Sequence, residues 1–382
     1  MRYLLSELRT VFKDEGVLIF FILVPMVYPL LYSWIYNNET VRDVPVVVVD
    51  DCHSKTSRTL AHKMDASPDV SVAAYAPNLD EAQRYMASQD AFGIIYIPSD
   101  FDRRLCRGEQ ATVSVYCDMS LLLAYKAIYV TAMAVTGDMN ADLQMKSKGE
   151  PFAEVAIFNP AQGYGTFILP AVLMLIIQQT LALGIGMITG TQRERNPHRR
   201  LWTPQRPSDS FLSVVIGKSL VYFLIYAVMS AYLTCVVPRL FSFIQIARPW
   251  DMVALLVPFI LACIFFAMTV TSVVRYRENV ILIVVFMSVP LMFISGLSWP
   301  QSNISWWWQS VSWLFPSTFG IQGFVRLSEM GASLSDILPH VVALWAQALF
   351  YFLTTCIIYG RTPNKRWQWQ QPHSGFRRSP LV

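Results

Sequence analysis

The chain has 382 residues, 54% of them hydrophobic and only 15% charged, against about a quarter charged in ordinary soluble domains. That balance argues for a membrane protein. The formal net charge of +4 is too small to point to nucleic acid as a partner.

Residues 1–16 read as a cytoplasmic amphipathic helix. Leu4, Leu5, Leu8, Val11 and Phe12 share one face, and Arg2, Glu7, Arg9 and Lys13 fall elsewhere, a pattern that suits a helix lying along a membrane surface. Residues 17–36 form the first of six long apolar runs. The others are 166–190, 211–237, 252–274, 279–298 and 340–359. Each meets or approaches the roughly 20 residues that a helix needs to cross a bilayer core. The first run is long for a signal peptide, and its exit, Ser33-Trp34-Ile35-Tyr36-Asn37-Asn38, holds no small-residue cleavage site. It reads as a retained anchor.

Residues 37–165 change character. Val44 to Asp50 reads as a buried strand by its β-branched content, Val70 to Tyr75 alternates as a second, and Ala91 to Ile97 and Ala111 to Tyr116 as a third and fourth. Helical stretches fall between them: Ser54 to Ala66, Leu79 to Ser88 with Asn78 as its cap, and Phe101 to Arg107. A long helix, about 121–147, leads back toward the membrane. This order predicts a small α/β domain with a mixed or parallel sheet. It carries Cys52, Cys106 and Cys117. An oxidising compartment permits one disulfide, with Cys106–Cys117 the first choice; three buried unpaired thiols are the alternative.

In the second span, Gln178, Gln179 and Thr180 place polar groups within apolar sequence. They suit either hydrogen bonding across a helix interface or contact with a transported molecule. The loop 191–210 that follows is charged, with an aromatic residue in its middle. It reads either as a force-transmitting connection or as a plain positive anchor. Trp306-Trp307-Trp308 and Trp313 cluster before the last run, as amphipathic rings do at membrane interfaces.

Charge sets the expected orientation. With the N-terminus inside, the inner short segments hold fifteen Lys and Arg and the outer ones three, which places both termini in the cytoplasm. The six runs contain no Asp or Glu. Ion-driven transporters keep such groups within the membrane, so energy is expected to enter from outside the bilayer. The five histidines are scattered and show no metal-ligand spacing. Gly217-Lys218-Ser219 lacks the earlier glycine of a phosphate-binding loop, because position 212 is Leu212.

Several segments together resemble a type-2 ATP-binding-cassette (ABC) exporter permease of the branch with a large outer domain after the first span. They are the Val-Val-Val-Asp strand, Ala91 to Pro98, Phe158-Asn159-Pro160, Arg193-Glu194-Arg195, Leu201-Trp202-Thr203-Pro204, Gly217-Lys218, Ser295 to Pro300 and Phe315 to Thr318. Asn196-Pro197-His198-Arg199-Arg200 departs from the family's usual acidic-Gly-Thr-acidic centre. The resemblance implies an α-helical polytopic membrane protein with six transmembrane helices and an inserted α/β extracytoplasmic domain. In it, residues 166–359 carry spans two to six, an outer re-entrant hairpin falls at about 296–335, and 360–382 form a basic cytoplasmic tail. It implies no catalytic residue and no bound cofactor. ATP would be used by a partner, a cytoplasmic ABC ATPase subunit. Arg193, Glu194, Arg195, Leu201, Thr203 and Pro204 would couple to it. Further partners would be a second permease copy or paralogue, membrane lipid and a periplasmic adaptor. The location implied is a bacterial inner membrane, and the cargo a hydrophobic or amphipathic, drug- or lipid-like molecule. An ion-coupled transporter and a membrane-anchored binding protein are the alternatives.

Overall fold

The computed structural model describes residues 2–36, 41–118, 121–144, 164–195, 210–243, 245–274, 276–296, 299 and 301–361. Two helices open the chain: α1 (Arg2–Lys13) and α2 (Glu15–Ile35). Then follow β1 (Val44–Asp50), α3 (Lys55–Asp65), β2 (Val70–Tyr75), α4 (Leu79–Ala87), β3 (Gly93–Ile97), α5 (Phe101–Cys106), β4 (Ser114–Cys117) and α6 (Leu122–Gln144). The rest is helical: α7 (Tyr164–Arg195), α8 (Phe211–Leu240), α9 (Pro249–Thr271), α10 (Arg277–Ile294), α11 (Trp306–Ser312), α12 (Pro316–Met330) and α13 (Leu334–Arg361). The chain divides into two compact units, one of residues 1–34 with 167–382 and one of residues 35–166.

In the first unit, α2, α7, α8, α9, α10 and α13 are long and apolar enough to cross a membrane. α7 is the central span: 89% of its apolar window is buried, against 17% for α10 at the periphery. Glycines make that position possible. A Cβ on Gly184 would lie 1.9 Å from the Phe21 ring of α2, and one on Gly190 would lie 2.8 Å from the Arg277 Cα of α10. Small residues of this kind let helix backbones approach closely where lipid gives no hydrophobic drive to pack. α9 runs against α13 through the Phe265–Phe352 and Phe266–Tyr351 ring pairs. Thr269 adds hydroxyl contacts to Thr354 and Thr355.

Caps start the helices where the sequence places them. Asp14 accepts from Val17 N at the start of α2, and Ser210 from Leu212 N at the start of α8. Pro249 and Pro316 open α9 and α12, where a missing N–H costs nothing. Two π-helical turns, Ile19–Leu23 and Tyr232–Val236, lie just before Pro25 and Pro238. Each widens the helix where a proline ring would clash with the preceding turn.

The apolar face expected on α1 divides. Val11 is buried, and Leu4 and Leu8 are half-buried with Glu7 between them, whereas Leu5 and Phe12 point outward. The stripe that packs is 4-7-8-11, a helical i, i+3, i+4, i+7 row, and it admits Glu7 because a partner waits for it.

The second unit is a four-stranded sheet in the order β2-β1-β3-β4. β1 runs parallel to both β2 and β3, and β4 is antiparallel to β3. Alternation sorts β1: Val44, Val46 and Val48 enter a core with Leu60, Ile95, Ile97 and Ile128, while Val47 and Val49 face Ala82 and Ile94. A strand buried on both faces reads as a continuous β-branched run, as Val44–Asp50 does. Ser54 and Ser57 form a capping box on α3, and Asn78 caps α4 above Asp80 and Glu81.

Cys106 and Cys117 stand as free thiols, as does Cys52. Cys117 lies opposite Gly93, at the start of β3, whereas α5 follows the other end of that strand and leaves Cys106 exposed. Burial raises the Cys117 thiol above its usual pKa, which lowers its thiolate fraction.

Candidate functional site

Several charged side chains of the first unit, among them Asp14, Arg193, Glu194 and Arg277, gather at one end of its helices. Asp14, the α2 cap, meets the Arg277 guanidinium in a two-pronged ion pair, with Nη2 2.7 Å from Oδ1 and Nη1 3.0 Å from Oδ2. This geometry gives directional as well as electrostatic strength. Gly16 makes room for it, since a Cβ there would lie 2.1 Å from Arg277 Nη2.

The last turn of α7 joins the same cluster and ties two further helices together. Arg193 donates from Nη1 to the Val274 carbonyl at 2.7 Å, and from Nη2 to that of Ser272. Glu194 Oε1 accepts the backbone N–H of Arg277, the first residue of α10, at 2.9 Å. A cation therefore meets the C-terminal carbonyls after α9 and an anion meets the N-terminus of α10. Each is the sign that the helix dipole favours.

Deeper in, Lys218 of α8 lies 3.5 Å from Glu7 of α1, each side chain only 9% exposed. Lys218 Nζ also donates to Gln192 Oε1 at 2.9 Å, and the Tyr222 hydroxyl donates to Glu7. Two buried charges hold one another here, with hydrogen bonds taking up remaining capacity, the condition under which such a pair is tolerated. A polar cleft of about 530 Å³, lined in part by Thr10, Lys13, Asp14, Thr191, Gln192 and Arg277, lies beside the cluster.

Of the residues expected to couple to an ATPase, Arg193 and Glu194 thus bridge α7 to the α9–α10 turn. The Arg195 side chain, Leu201, Thr203 and Pro204 lie outside the described residues. Gln178 and Thr180 engage neighbouring helices: Ser317 N donates to Gln178 Oε1 at 2.6 Å, and the Tyr226 hydroxyl to Thr180 Oγ1 at 2.9 Å. Gln179 faces a cavity.

Sequence reasoning missed Glu7, Asp14 and Arg277. A signal for Glu7 existed, since it interrupts the 4-8-11 apolar row of α1, and Lys218 is the one Lys or Arg in the six runs. Also missed was Glu329, buried in α12, where burial pushes its carboxyl up to about 8. Its Oε1 has no hydrogen-bond partner among the described residues.

Among the described residues there is no group of His, Cys, Asp and Glu that could hold a metal ion. A family model described as ABC-2 family transporter protein matches residues 16–357. No curated protein and no solved structure matches the chain. That family match runs from the start of α2 almost to the end of α13 and takes in all six candidate spans. The chain therefore belongs to the ABC-2 transporter family, as a multi-pass membrane permease of an ABC transporter whose family implies a separate ATPase subunit.

Proposed function

We propose that this permease belongs to an ATP-driven exporter in a bacterial inner membrane. It carries a hydrophobic or amphipathic, drug- or lipid-like cargo out of the cytoplasm or the inner leaflet. Both termini and the charged cluster face the cytoplasm, and residues 37–165 face outward as a separate domain. The fifteen-to-three bias of Lys and Arg supports this orientation. Two permeases, identical or related, work with cytoplasmic ATPase subunits.

The observation that carries this reading is the joint at the end of α7. Arg193 and Glu194 fasten that end to the α9–α10 turn, and Arg277 fastens α10 to the start of α2. A push delivered to the loop 191–210 would move four spans together. The six spans hold no acidic group in their apolar runs, which supports fuel use outside the bilayer rather than ion coupling.

The test is reconstitution in vesicles with and without the partner ATPase. The permease alone should hydrolyse no ATP, and adding the ATPase should give cargo-dependent turnover. Arg193→Ala and Glu194→Ala should insert normally and uncouple ATP hydrolysis from transport. Unchanged transport in both variants would remove the joint from the mechanism. Accumulation by the permease alone, driven by a proton or sodium gradient, would overturn the reading.

A further inference from the structure

A second cavity, of about 290 Å³, lies within the helix bundle among α7, α9, α10 and α13. Its walls are mostly apolar, with Phe266, Val270, Val284 and Met287 among them. The volume is nearly twice that of the ~150 Å³ apolar cavity that takes up benzene. It sits near the ~300 Å³ lower bound of small-molecule pockets.

The polar groups on the wall are mostly committed. Gln178 Oε1 accepts from Ser317 N, the Tyr351 hydroxyl donates to the Leu314 carbonyl, and the Thr271 hydroxyl to the Ala267 carbonyl. Gln179 differs. Its Nε2 is buried and has no hydrogen-bond partner among the described residues. An unpaired buried donor is costly, because it gives up its hydrogen bond to water for none in return. A lone water is a poor remedy, because it needs roughly two to four polar partners and this wall offers little beyond Gln179. An apolar chain carrying one oxygen acceptor fits both the wall and the donor.

We propose that this cavity binds a single hydrocarbon chain bearing one carbonyl oxygen, with the chain along Phe266, Val270 and Met287 and the oxygen accepting from Gln179 Nε2. The chain enters past α10, the least buried span, whose Ile283 and Met287 line the cavity and are also partly exposed on the outside of the bundle. The chemistry is that of an acyl ester. It has two sources, the acyl chain of a bilayer phospholipid or the tail of an amphipathic cargo. The cargo source rests on the exporter reading above.

Photolabelling of the full chain in lipid nanodiscs tests this without any ATPase. Two probes are used, a phosphatidylethanolamine with a diazirine in its acyl chain and a monoacylglycerol with the same chain. Each is paired with an ether analogue that lacks the carbonyl, and adducts are located by mass spectrometry. Adducts should concentrate on Val270, Ile283 and Met287, and Val284→Trp, which fills the cavity, should remove them. The ester probe should outlabel its ether by about tenfold, the worth of one buried hydrogen bond, and Gln179→Leu, of similar volume, should abolish that preference. If Val284→Trp does not fold, the ester preference and its loss in Gln179→Leu decide alone. Labelling by the phospholipid that excess unlabelled monoacylglycerol does not displace assigns the site to a bilayer lipid. Displaceable labelling by the monoacylglycerol assigns it to cargo. Adducts spread evenly over the outer faces of the spans, or an ester preference that is missing or survives Gln179→Leu, overturn the proposal. Failure here with ATP-driven transport intact sinks only the cavity assignment. Failure of ATP-driven transport with labelling intact sinks only the exporter reading.

Discussion

In the helix bundle, Glu7 and Lys218 are buried against one another, and Arg193, Glu194 and Arg277 each satisfy a helix end or a carboxylate. In the α/β unit, Lys63 and Asp138 meet with 30% and 63% of their side chains exposed. The cluster in the first unit binds each of these charges to a definite partner. The other unit can leave a charge to water. The same kind of ion pair is therefore a fixed part of the first unit and an accessory of the second, because the cost of an unpaired charge depends on what replaces its partner.

Single and double substitutions test that contrast most strongly. Lys218→Met should destabilise the protein by about 3–5 kcal/mol, since it strands a buried carboxylate. The double change Glu7→Leu with Lys218→Met should recover most of the loss in thermal unfolding in nanodiscs. A double variant no better than the single would show that the pair is not the source of the cost. Next in size is Gly190→Ala. The new Cβ meets the backbone of Arg277, so overpacking of about 1–3 kcal/mol should outweigh the gain of about 1 kcal/mol from Gly to Ala in a helix. An unchanged or raised melting temperature would contradict the close approach of α7 and α10.

Glu329 gives a pH signature. Its carboxyl stands at about 8 against the ordinary 4.5, so between those values the native state keeps a proton that the unfolded chain has lost. Stability should fall as pH rises through that window and level off above about 8. Glu329→Gln should flatten the dependence, and an unaltered slope would show that other groups carry it. The smallest effect is expected in the α/β unit. Lys63→Ala should cost no more than about 1 kcal/mol, measured by denaturation. A loss as large as that of Lys218→Met would erase the contrast between the units.

The spans were legible because bilayer thickness dictates their length and lipid dictates their composition, so each apolar run announces a helix without its neighbours. Val44–Asp50 was legible for a related reason: burial on both faces requires an unbroken β-branched run. Arg193 and Glu194 stood out by family pattern, but their partners did not. The Ser272 and Val274 carbonyls and the Arg277 N–H are backbone groups, which leave no mark in the sequence. Glu7 was misplaced on the polar side of α1 because periodicity records hydrophobicity and is blind to a cation waiting on α8.

By itself, then, the sequence determined how many helices could cross a membrane, which segments carry positive charge, and that the apolar runs hold no acidic group. These are properties of single segments in contact with solvent or lipid. Only the tertiary structure decided which charge meets which, that α7 is the central helix, and that Gln179 faces a cavity while Gln178 and Thr180 are taken up by neighbouring helices. Those outcomes depend on groups far apart in the chain being brought within a few ångströms, where pairing, packing and desolvation act.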